Sequence, residues 1–123
     1  MSANSVCWWE LASHDAEKSV AFLNKVFDWN LVLDDKLGFY VMSADDGDKR
    51  AFGGGGVFTL RKAKLPFMAL YIRVEDIEAK ARSVEEAGGF IVEAPFENQS
   101  GTKICLFNEP SGVTFAMIQS ASA

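Results

Sequence analysis

A chain of 123 residues of which 49% are apolar is long enough to form one domain with its own buried core, without disulfide or metal staples. Twelve basic side chains against 17 acidic ones leave a net charge of −5, which repels phosphate backbones and anionic headgroups and argues against nucleic acid or a membrane surface as partner. No uncharged stretch approaches the roughly 20 apolar residues that span a bilayer, and the first five residues carry neither a basic flank nor an apolar run, so a cytoplasmic protein is expected.

In chain order, residues 6–12 read as a short apolar strand. A helix follows over 15–27, with Asp15 placed to accept from the free amides of its first turn and Ala16, Val20, Leu23 and Phe27 recurring at helical spacing. Residues 29–33, 39–42 and 52–60 read as strands. The polar clusters Asp34-Asp35-Lys36 and Asp45-Asp46-Gly47-Asp48 separate them as turns. Arg61, Lys62 and Lys64 form a solvated linker, and Pro66 marks a seam. Beyond it come a strand over 67–74, a helix over 76–87 stopped by Gly88-Gly89, and strands over 90–92, 103–107 and 113–119. The chain therefore repeats itself. A shift of 61 positions lays Trp8-Trp9-Glu10-Leu11 over Ala69-Leu70-Tyr71-Ile72 and Asp15-Ala16-Glu17 over Asp76-Ile77-Glu78, as a tandem duplication would. Cys7 and Cys105 both lie in apolar strands, where reduced, buried thiols are the ordinary expectation.

With Trp8 to Leu11, the run Phe22-Leu23-Asn24-Lys25-Val26-Phe27-Asp28-Trp29, and the closing Asn108-Glu109-Pro110-Ser111-Gly112-Val113-Thr114-Phe115, this order resembles the vicinal oxygen chelate superfamily. That group includes glyoxalase I, the bleomycin resistance proteins and the extradiol dioxygenases. The resemblance implies an α+β fold in a single domain over 1–123, built from two tandem βαβββ modules at about 5–60 and 67–119. Each module would curl into an incomplete, cleft-bearing barrel, and pairing within or between chains would complete it, so a homodimer is implied. Enzymes of the group hold a divalent metal with His, Gln or Glu on the first and last strands of each module. Those positions carry over to Trp8, Gly55, Ala69 and Ala116, none of which can give an electron pair to a metal from its side chain. Neither a metal nor another cofactor is therefore expected. The only imidazole, His14, stands at a helix start, away from the cleft.

Strand alternation sorts the residues by face. Trp9, Leu11, Leu70 and Ile72 should pack under the helices, as should Val113, Phe115 and Met117. Trp8, Glu10 and Ala12 then share the cleft face with Ala69, Tyr71 and Arg73, joined by Thr114, Ala116 and Ile118 from the last strand. Trp8, Glu10, Gly55, Ala69, Tyr71, Arg73, Thr114 and Ala116 are the candidate ligand-binding residues, a set suited to a planar or amphipathic organic molecule. Plainer roles compete. Trp8 would fill the space of a missing metal and its ligand, Glu10 and Arg73 would pair to shape the cup, and Tyr71 would meet a dimer neighbour. Gly53 to Gly56 lacks the Lys-Ser/Thr of a phosphate loop and reads as a flexible or bulged strand start that widens the cleft. Asp45, Asp46 and Asp48 lack the closing Glu of a calcium loop. No catalytic residue is assigned. The leading expectation is a small-molecule binder that sequesters its ligand as bleomycin resistance proteins do. The alternatives are a glyoxalase-like lyase, isomerase or dioxygenase with its metal displaced onto carboxylates such as Glu10, and a protein-interaction module. An open cavity of several hundred Å³ would favour a ligand.

Overall fold

Two copies of one strand-helix-strand-strand-strand sequence account for every regular element among the described residues. In order these are β1 (Val6–Ser13), α1 (Ala16–Phe27), β2 (Val32–Asp34), β3 (Phe39–Met42), β4 (Gly54–Thr59), β5 (Phe67–Arg73), α2 (Ile77–Glu86), β6 (Phe90–Glu97), β7 (Lys103–Asn108) and β8 (Thr114–Gln119). The computed structural model describes residues 3–42, 54–60, 65–98 and 100–120. The Asp45 to Asp48 turn and the linker cations Arg61, Lys62 and Lys64 lie outside them. By internal contacts the chain divides into an N-terminal unit, Trp8–Met68, and a C-terminal unit in which Met1–Cys7 joins Ala69–Ala123.

In the N-terminal unit the strands run in the order β2-β3-β4-β1, with β1 parallel to β4 and the other pairs antiparallel. The stripe Ala16 and Val20 of α1 packs with Leu31 and Val57, and Trp9, Leu11, Leu23, Tyr40 and Met42 close around that cluster. β1 thus buries Trp9 and Leu11 under the helix as alternation requires. The strand expected over 29–33 begins only at Val32. Asp28 ends α1 in a left-handed conformation, and the Asn24 amide then takes both backbone groups of Leu31, donating to its carbonyl and accepting from its N–H. Leu31 has no ladder bonds left to offer. Trp29 instead stacks at a tilt on Trp9 and Phe27, with ring centroids 5.6 and 5.9 Å apart.

The C-terminal unit orders its strands β5-β8-β7-β6, again with its first and last strands parallel. Val74, Ile77, Ala81, Cys105 and Met117 form its core, with Ile72, Val84, Ile91 and Phe107 packed against them. Phe115 stacks on Phe107 at 5.8 Å. Val113, expected in that core, is 56% exposed. Its N–H donates to the Glu109 carboxylate and its carbonyl accepts from the Glu109 N–H, so it belongs to the turn and β8 starts one residue later. β6 is longer than its expected 90–92 and runs on through Pro95 to Glu97, with register shifts against β7. A margin position tolerates both, since a proline there forfeits no ladder bond on its open side.

Both helices start on an aspartate. Asp15 accepts from the Lys18 N–H at 3.2 Å and Asp76 from the Ala79 N–H at 3.1 Å. After α2, Gly88 takes φ +96°, and the N–H groups of Gly88 and Gly89 bond back to Glu85 and Val84. Among the described residues no helix is long and apolar enough to cross a membrane.

Candidate functional site

The register of the N-terminal unit fixes which side chains share its second face, away from α1. Trp8 lies beside Gly54, Glu10 beside Gly56 and Ala12 beside Phe58, while Val41 of β3 also pairs with Gly56. Partners across a ladder point to one side, so Trp8, Glu10, Ala12, Gly54, Gly56, Phe58, Val41 and Phe39 line one surface. On it the Trp8 Nε1–H donates to Glu10 Oε2 at 3.0 Å, tying an aromatic plate to a carboxylate two residues on. Gly55 falls on the other face. A Cβ there would sit 1.9 Å from Trp9 Cε2, because the Trp9 indole occupies the space a side chain would need. At Gly56 the ring of Phe39 fills the corresponding space, 2.9 Å from an added Cβ. Gly54 to Gly56 is thus a regular strand, registered without a shift on both sides, and its missing side chains seat aromatic rings instead of widening a cleft.

At the C-terminal end of β4 a cavity of about 530 Å³ opens. Glu10, Phe39 and Phe58 reach it from the second face, Leu37 and Gly38 come from the β2–β3 turn, and Leu60 follows β4. Ala16, Tyr40, Val57 and Thr59 complete the described lining. The turn is held by Asp34, whose Oδ1 accepts from the N–H groups of Lys36 and Leu37, and Gly38 takes φ +78° within it. The described lining mixes the Glu10 carboxylate and the polar groups of Tyr40, Thr59 and the backbone with the aliphatic and aromatic surface of Leu37, Phe39, Phe58 and Leu60. Of the residues singled out from sequence, only Glu10 lines this cavity; Trp8 reaches it through their hydrogen bond. Leu37, Phe39, Phe58 and Leu60 lie on β3, β4 and the segments flanking them, whereas alternation from sequence assigns faces only along β1, β5 and β8. Reading it along β3 places Phe39 with Glu10.

In the C-terminal unit, Tyr71 lies beside Ala116 and Arg73 beside Ile118, so Ala69, Tyr71, Arg73, Thr114, Ala116 and Ile118 do share one face. Tyr71, Ala69 and Ala116 are buried, and the Thr114 hydroxyl donates to Asn108 Oδ1 at 2.6 Å. Burial pushes both thiols up. For Cys7 the Arg73 charge partly opposes the shift, and for Cys105 the carboxylates of Glu93 and Glu85 add to it. Both cysteines are unpaired with each other and stay protonated at neutral pH, which suits filler rather than nucleophile.

A family model for the Glyoxalase/Bleomycin resistance protein/Dioxygenase superfamily matches residues 6–117. The chain belongs to that superfamily. Two Streptomyces relatives are each 25% identical to it over 126 residues: the anthracycline biosynthesis proteins DauV of Streptomyces sp. (strain C5) and DnrV of Streptomyces peucetius. The matches take in 89% of this chain but 45% of theirs, so the chain spans about half the length of these relatives. Among solved structures, methylmalonyl-CoA epimerase from Mycobacterium tuberculosis superposes with a TM-score of 0.65 at 16% identity, over 99% of this chain and 94% of the other, a likeness of fold. The positions that the resemblance assigns to metal ligands, Trp8, Gly55, Ala69 and Ala116, are an indole, a glycine under the Trp9 ring and two buried alanines. These residues do not fit a divalent ion, for no side chain among them offers a lone pair. Nor do three or more His, Cys, Asp or Glu side chains gather as a possible ligand set elsewhere among the described residues.

Proposed function

We propose that this superfamily member binds a small, flat, amphipathic organic molecule in the cavity of its N-terminal unit and sequesters it, without a divalent metal and without converting it. The observation that carries the reading is the cavity itself. Its volume of about 530 Å³ lies within the range of small-molecule sites, and its described lining sets the aromatic and aliphatic side chains of Phe39, Phe58, Leu37 and Leu60 beside polar groups that include the Glu10 carboxylate. A cup already filled by its own side chains would have pointed to a protein partner instead. The two Streptomyces relatives are by name anthracycline biosynthesis proteins, which makes fused-ring aromatic molecules a reasonable first panel to test. Thermal-shift and titration calorimetry with planar aromatic compounds test the proposal. A binder raises the melting temperature progressively with ligand concentration. No stabilisation across such a panel, together with turnover of any substrate, would sink it.

The enzymatic alternative needs a metal carried by carboxylates such as Glu10. Metal analysis of protein purified without chelators decides it: a stoichiometric ion that is lost in Glu10→Ala replaces sequestration by catalysis. We further propose a homodimer. Phe22, Val26 and Phe27 stand exposed on the N-terminal unit and Phe90 and Val92 on the C-terminal unit, apolar surface that pairing would cover. Light scattering after size exclusion should give twice the chain mass, and a monomer at every concentration would contradict the pairing.

A further inference from the structure

Two hydroxyl groups stand in the described lining of the N-terminal cavity, on Tyr40 of β3 and Thr59 of β4. Tyr40 pairs with Val57 and Thr59 lies two residues beyond Val57, so both side chains leave the sheet on the side that faces α1. Thr59 Oγ1 accepts from the Ala16 N–H at 2.9 Å, which fixes the oxygen and leaves its one proton to donate elsewhere. The Tyr40 ring packs on the cluster of Ala16, Val20, Leu31 and Val57, so its hydroxyl too is held in place. Among the described residues neither hydroxyl donates to a protein acceptor. No buried side-chain polar atom there lacks a hydrogen-bond partner, so the Tyr40 hydroxyl is open to a molecule from outside. A carbonyl oxygen has two lone pairs and accepts from both groups at once. It gives up hydration on entering, so a site without donors would favour the bare hydrocarbon. Resting on the ligand-binding reading above, we infer that the cavity selects an aryl ketone, a fused-ring body with a carbonyl at its edge, over the hydrocarbon of the same shape. Tyr40 and Thr59 donate to the carbonyl, while apolar side chains of the lining, Leu37 and Leu60 among them, cover the rings.

Two probes of one shape separate the possibilities: 1-tetralone and tetralin, which differ only in the carbonyl, compared by titration calorimetry and by the shift in melting temperature. The ketone should bind about tenfold more tightly than the hydrocarbon, the scale of two modest hydrogen bonds net of lost hydration. Tyr40→Phe keeps the ring that packs on the core and removes only the hydroxyl. It should weaken the ketone about threefold and leave tetralin unchanged. Thr59→Val should do the same, whereas Thr59→Ser, which keeps the donor and the oxygen that receives the Ala16 N–H, should preserve the ketone preference. Far-ultraviolet circular dichroism confirms that each variant is folded. Should Thr59→Val fail to fold, Tyr40→Phe and the ranking of the two probes on the unaltered protein still decide. Equal affinity for the two probes, tighter binding of tetralin, or a ketone preference undiminished in either hydroxyl-free variant overturns this inference and leaves ligand binding standing. Failure of both probes to bind overturns both.

Discussion

Trp8 and Trp9 are adjacent in sequence and do unrelated work, because a strand sends neighbours to opposite faces. Trp8 braces Glu10 beside the cavity, whereas Trp9 goes under α1 and uses the bare backbone of Gly55 as its seat. Gly55→Ala is therefore expected to cost about 2 kcal/mol, the usual scale for forcing a methyl group into packed surroundings. Urea denaturation should show the midpoint fall with an unchanged slope. An alanine tolerated without loss would mean that the indole has room to shift. The two thiols make a second prediction at this scale. Cys105 is fully buried and both groups have raised pKa values. Disulfide exchange reagents at pH 7 should therefore label the half-buried Cys7 slowly and leave Cys105 unlabelled until the protein unfolds, as mass spectrometry of the labelled protein would show.

The duplication reaches into how each helix starts. At α1 the capping Asp15 is joined by Thr59 of β4, whose Oγ1 accepts from the Ala16 N–H at 2.9 Å. At α2 Gln119 of β8 takes the same part, its Oε1 accepting from the Ile77 N–H at 2.8 Å. In both modules the last strand satisfies the first free amide and the aspartate a later one. Asp15→Ala and Asp76→Ala should each cost about 1 kcal/mol in thermal or chemical unfolding, while the serine variants, which keep an acceptor, should cost much less. The β7–β8 turn is governed by Glu109. Its carboxyl lies below the ordinary Glu range, first because the Ser111 hydroxyl donates to it, then through the N–H groups of Val113 and Ser111. A carboxyl depressed in the folded state stabilises above its unfolded value of about 4.3 and loses that contribution as pH falls through its lower folded value. Thermal stability of Glu109→Gln should therefore fall below that of the unaltered chain near neutrality and converge with it in acid. A gap that stays constant with pH would show that shape, and not charge, holds the turn.

Across the whole chain, the doubled module was legible because its two signals are local and strong: Asp15 and Asp76 announce helix starts, and the apolar stripes behind them have helical period. The sides of β1, β5 and β8 were legible for the same reason. The cavity was not, because it depends on how long the β2–β3 hairpin is and where β2 begins, and Asn24 and Asp28 settle those by capturing Leu31 and closing α1. Gly55 was assigned to the wrong face because the 61-residue offset, sound for the first strands, slips where the hairpins differ in length. Tyr71 pairs with Ala116 and its counterpart Glu10 with Gly56, so Gly56 and not Gly55 is the counterpart of Ala116. Composition carries one consequence that neither module shows alone. With a net charge of −5 the molecule attracts cations over a distance set by ionic strength, about 10 Å at 0.1 M salt. If the chain binds flat aromatic molecules as proposed, stopped-flow tryptophan quenching by the cation naphthylmethylamine should show an association rate that falls as salt rises. The rate for naphthylmethanol should stay level, since a neutral molecule feels no long-range field. Association of the amine at a rate indifferent to salt would mean that the acidic surface does not guide it to the cavity, and that any preference for it arises only after it arrives.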